Sequence, residues 1–150
     1  LPRLTEAMGR MRATGTAILG IKQATAEERV TIATMLERTR DGLADSRDQI
    51  QKIKEANGGA MPALEAAAAN AQSESQKLVG ITDLEFMRIE VLRYSAADYL
   101  KVGTAAIDAQ FALITAAHTE IEHMVAAGFT PAEAIEVSKI YSVAGLLSRD

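Results

Sequence analysis

Two histidines, His118 and His123, are the first places to look for chemistry in this chain. Glu120-Ile121-Glu122-His123 has the Glu-x-x-His spacing that sets a carboxylate and an imidazole on one helix face, as di-metal carboxylate bundles do. Such a centre needs a second Glu-x-x-His and two further inward glutamates. The only other histidine lies in the same helix, so the set cannot be completed, and the pair reads as a solvated charged face near a helix end. Nucleophilic catalysis also lacks its parts. There is no cysteine, and neither Ser46 nor Ser75 stands in a Gly-x-Ser-x-Gly elbow. Asn57-Gly58-Gly59 has no following lysine and reads as a helix stop rather than a phosphate loop. Acids paired at i, i+3 or i, i+4 read as solvated surface. The expectation is a protein that is no enzyme, with no catalytic residue, metal site or cofactor.

What remains is a set of polar or small residues on otherwise apolar seams. Gly15 and Gly103 each omit a side chain at a core position, at about 1 kcal/mol of helix propensity against alanine. Close helix contact explains that, and so does room for a small ligand between helices. Gln110 is a polar seam residue of the kind that sets register in a coiled coil. Arg12 lies beside Gly15, and a guanidinium takes a carboxylate through two parallel hydrogen bonds. A surface arginine lying over apolar side chains is the commoner reason for a single arginine there.

The elements that must position these residues are helical. Hydrophobic residues are 48% of the 150 but aromatics only 4%, with no Trp and three prolines, whereas sheets favour aromatic and β-branched residues. A net charge of −4 with no basic stripe disfavours nucleic acid. No apolar run approaches the roughly 20 residues of a membrane span, so any anchor is expected outside this chain. Leu4, Met8, Met11, Gly15, Ile18 and Lys22 alternate spacings of four and three, which predicts a first helix to about residue 23. Thr25-Ala26-Glu27-Glu28 is a capping box opening a second helix, whose seam is Ile32, Leu36, Thr39, Leu43, Ser46, Ile50 and Ile53. An Ala-rich helix is expected over 60–80. Gly80 and the pattern Thr82-Asp83-Leu84-Glu85 then mark a break before a short helix to about Arg93. Ser95 begins a long helix with the seam Leu100, Gly103, Ile107, Gln110, Ile114, Ala117, Ile121 and Met124, closed by Gly128. Thr130-Pro131-Ala132-Glu133 opens a last short helix to about Leu147. The fold class is all-α, an antiparallel up-down helical bundle of four-helix type with an extra short C-terminal helix. The division is a bundle over 1–127 and an extension over 128–150.

Two stretches carry a resemblance. Leu1-Pro2-Arg3-Leu4 through Gly9-Arg10-Met11-Arg12-Ala13-Thr14-Gly15 resembles the Leu-Pro-x-Leu…Gly-x-x-Arg-x-x-Gly stretch of periplasmic helical sensor domains in bacterial transmembrane receptors. These include methyl-accepting chemotaxis proteins, sensor kinases and diguanylate cyclases. Ser95 through Leu113 is similar to the last periplasmic helix of that group. The resemblance covers roughly residues 1–123. It implies a sensor at the periplasmic face of the bacterial inner membrane, anchored by spans outside this chain. A small molecule or partner shifts the helices slightly, and a cytoplasmic module reads the shift. The chain would then start inside the domain, without the first span. After His123 the family runs toward its second span, whereas here Gly128-Phe129-Thr130-Pro131 intervenes. The stretch 134–147 is instead similar to a short segment of magnesium-chelatase-like ATPases, without their phosphate loop. The expected ligand contacts are Arg12, for an anion, with Tyr99, Thr104 and Gln110 orienting it. A homodimer is expected from uncovered seams. The rival reading is a structural, dimerising bundle without a ligand.

Overall fold

The Thr25 capping box forms as the sequence predicts. The Thr25 hydroxyl accepts from the Glu28 backbone N–H at 3.0 Å, and the Glu28 carboxylate accepts from the Thr25 N–H at 2.8 Å. It opens α2 (Ala26–Asn57), which ends at Gly58 in left-handed geometry, φ 73°. The computed structural model describes residues 3–58 and 60–128. Before α2 lies α1 (Arg3–Ile21); after it come α3 (Pro62–Thr82), a π-helical turn (Asp83–Arg88) and α4 (Ala96–Ala126). There is no strand among the described residues. The architecture is an all-α, up-down helical bundle in which α3 and α4 share the most extensive contact, followed by α1 with α2 and with α4. The expected helix from Thr130 to Leu147 lies outside the described residues.

The four-three spacing identifies the core of the first two helices. All seven predicted α2 seam residues are buried, as are Leu4, Met8, Met11, Gly15 and Ile18 of α1. Lys22 departs from its seam. It turns left-handed, φ 59°, and its ammonium donates to the Tyr94 carbonyl at 2.6 Å.

Two expectations are corrected. The helix over 60–80 does not break at Gly80, because Thr82 keeps helical backbone and its hydroxyl donates back to the Leu78 carbonyl at 2.7 Å. The chain continues into the π-helical turn instead of opening a new capped helix, and helix is lost after Arg88. Glu85 caps a different segment: its buried carboxylate accepts from the backbone N–H groups of Arg93 and Tyr94. The α4 seam holds at Gly103, Ile107, Gln110, Ala117 and Met124, which are buried, but departs at its other positions. Tyr99 and Leu113 are buried, while the expected Leu100 is 44% exposed and Ile114 only partly covered. α4 touches both α1 and α3, so its buried stripe is wider than a two-helix seam and is centred toward α3.

The core forms two apolar clusters. One joins α1, the first half of α2, the end of α3 and the start of α4, with Met8, Ile32, Leu36, Leu78 and Tyr99 inside it. The other joins Ile50, Ile53, Leu64, Ala71, Leu113 and Ala117 of the remaining three helices. Between them each of α2, α3 and α4 contributes one buried polar residue, Ser46, Ser75 and Gln110. α4 is long and apolar enough by composition to cross a membrane, and its buried residues belong to both clusters.

Candidate ligand site between α1 and α4

α1 and α4 meet through two reciprocal contacts in which one helix omits a side chain and the other fills the space. A Cβ on Gly15 would stand 2.4 Å from Tyr99 Cε2, so the tyrosine ring occupies that position. One turn away, a Cβ on Gly103 would stand 2.7 Å from Arg12 Cγ and 2.9 Å from its Cδ. The arginine stem crosses α4 there, and its Nη1 donates to Thr104 Oγ1 at 3.1 Å. Both glycines therefore serve close helix contact, and the space they leave is filled by protein.

Of the four expected ligand residues, Arg12 and Thr104 come together directly. Tyr99 is their neighbour by one turn but is fully buried. Its hydroxyl lies 2.8 Å from Thr82 Oγ1, and its ring meets Phe86 edge-on at 5.5 Å and 75°. Burial pushes the phenol up to about 12, against a smaller opposing effect of the Thr82 hydrogen bond. Gln110 belongs to the polar layer instead. Its Nε2 donates to Ser75 Oγ at 3.0 Å and its Oε1 has no partner.

The arrangement can hold charge at only one point. Arg12 is partly exposed and commits one N–H of its five to Thr104, which leaves donors for an oxyanion at the helix surface. The two residues that sequence reasoning missed are Thr82 and Glu85. The Thr-x-x-Glu pattern points to both, but it reads as a local cap, whereas their partners lie up to 17 residues away. Elsewhere, His123 Nδ1 stands 3.3 Å from Glu120 Oε1 on an exposed face. Among the described residues no three metal-ligating side chains gather. No family model, curated protein or solved structure matches the chain.

Proposed function

We propose that this chain is the extracytoplasmic ligand-sensing bundle of a chemoreceptor-like transmembrane protein, at the periplasmic face of a bacterial inner membrane. The observation that carries the reading is how α1 is held on α4: two glycine contacts and one part-buried hydrogen bond, Arg12 to Thr104. Such an interface has little polar anchorage, so a ligand that binds one packing better than another shifts α1 by differential contact alone. Arg12 would take the anionic group of a small molecule, with Thr104 within its reach. Tyr99 and Gln110 would act from the core, through the packing of α4. The test is thermal unfolding of the purified chain against small organic acids, amino acids and amines. A concentration-dependent rise in midpoint supports sensing. Calorimetry on Arg12→Glu then tests the contact, because unchanged affinity for an anionic ligand removes Arg12 from the site.

A second reading, a dimerising structural bundle, is favoured by one stripe. Leu100, Phe111 and Val125 are 44%, 49% and 52% exposed, and at about 100° per residue they fall on one face of α4. If no compound shifts the midpoint while it rises with protein concentration, that reading replaces sensing.

A further inference from the structure

On the other flank of α1, against α2, lies an open groove of about 430 Å³ whose charges have no partners. Its floor is Ala7 and Met35, 2% and 3% exposed, and its walls carry Arg3, Glu6, Arg10, Arg38, Asp41 and Asp45. None of these six charged groups lies in an ion pair with another described residue. That includes the pairs Glu6–Arg10 and Arg38–Asp41, whose i, i+4 and i, i+3 spacings favour contact.

The charges are sorted along the groove. Leu4 packs against Gly42, its Cδ1 2.9 Å from where a Cβ would stand, and this fixes the register of the two antiparallel helices. Arg10 then falls level with Met35 and Arg38, while Arg3 falls level with Asp41 and Asp45. One end therefore holds two arginines. The other holds Asp41, Asp45 and Glu6 against the single Arg3, a net excess of two negative charges at neutral pH. Five residues of helix rise, about 7.5 Å, separate Arg38 from the midpoint of the two aspartates, with Ala7 beside that interval and Met35 at the arginine end.

We infer that this groove binds a linear zwitterion, an ω-amino acid whose carboxylate and ammonium are separated by several methylenes. The carboxylate lies between Arg10 and Arg38 over Met35, the ammonium lies at Asp41 and Asp45, and the methylenes pass over Ala7. A zwitterion whose carboxylate and ammonium share one carbon, such as glycine, is too short to reach both ends, and a dicarboxylate meets repulsion at the acidic end. The inference rests on the ligand-sensing reading and gives it a site that bridges α1 to α2, so that occupancy biases the same helix that packs on α4.

The experiment is calorimetry on the purified chain with 5-aminovalerate, valerate and pentylamine at matched ionic strength. Saturable binding of 5-aminovalerate is expected, with each singly charged analogue at least about tenfold weaker. Arg38→Ala and Asp41→Ala, both at exposed positions, should each weaken binding by about tenfold or more while circular dichroism and the unfolding midpoint stay close to wild type. No saturable binding, or equal binding by both variants, overturns the groove. If another compound binds and is lost in Arg12→Glu but not in Arg38→Ala, the groove falls while sensing stands. If no compound binds at all, both fall.

Discussion

Gly15 and Gly103 make different demands on a substituted side chain, although both fill the same role. A methyl at Gly15 meets the ring of Tyr99, which is enclosed by Phe86 and Thr82 and has nowhere to move. Overpacking of about 1–3 kcal/mol should exceed the gain of about 1 kcal/mol in helix propensity, so Gly15→Ala should lower the unfolding midpoint. A methyl at Gly103 meets Arg12 Cγ, Cδ and, at 3.1 Å, Cβ; the outer stem can turn toward solvent, but the Cβ moves only with α1. Gly103→Ala should lower the midpoint less than Gly15→Ala does and break the Arg12–Thr104 hydrogen bond. Tyr99 adds a pH dependence. Its folded-state phenol is raised to about 12 from 10.0, so its contribution is complete below pH 10 and is lost as pH rises toward 12. Two units correspond to about 2–3 kcal/mol, and alkaline unfolding followed by tyrosinate absorbance should lose this component in Tyr99→Phe.

At the scale of elements, the weakest join lies where α3 passes through the π-helical turn into 89–95. No regular backbone ladder holds that segment. It is held by Glu85 on the N–H groups of Arg93 and Tyr94, and by Lys22 on the Tyr94 carbonyl. Arg29 holds the turn itself, donating to the Phe86 carbonyl at 2.7 Å. Replacing Glu85 with alanine strands two backbone donors, at about 1–3 kcal/mol each where they stay buried. Hydrogen exchange of Arg93 and Tyr94 should accelerate well before that of the α1–α2 contact. Equal protection in wild type and Glu85→Ala would contradict this. At the opposite end, α3 starts without a side-chain N-cap. Glu65 stands in, accepting from the Met61 N–H at 2.8 Å and pairing with Lys54 at 3.3 Å. That backbone bond, then Lys54, holds its carboxyl below the usual carboxylate range. Its support is present above the ordinary glutamate pKa and is lost as pH falls through the lowered one. Glu65→Gln should therefore flatten part of the acid side of the stability profile.

Across the whole molecule, the buried polar residues Ser46, Ser75 and Gln110 lie between the two apolar clusters. Gln110 is fully buried and leaves Oε1 without a partner, a destabilising feature in an apolar core. Gln110→Met combined with Ser75→Ala removes donor and acceptors together and should raise the unfolding midpoint. If the layer sets register, near-ultraviolet circular dichroism should lose definition as the midpoint rises. Beyond the core, the exposed stripe through Phe111 gives a test by sedimentation. Phe111→Ser should reduce any concentration-dependent self-association and leave the bundle folded, since the side chain is half exposed.

Fold class and the inner faces of α1 and α2 were legible in the residues alone, because four-three spacing on a helix is local geometry and burial follows from it. The caps at Thr25 and Ser95 were legible for the same reason, each being a contact over three residues. Tertiary structure decided the rest. Thr82 and Glu85 match a capping box, yet a buried tyrosine and a returning loop supply their partners, and longer-range bonding displaced the local pattern. Burial on α4 spreads beyond the predicted seam because two neighbours rather than one cover it, and Tyr99 rather than Leu100 enters the core. Arg12 and Thr104 could be named from the sequence, but their hydrogen bond, across 92 residues, exists only because Gly103 lets the arginine stem cross α4. The α1–α2 groove had no sequence signal. Its residues are ordinary surface charges until the register set by Leu4 against Gly42 sorts them into two ends.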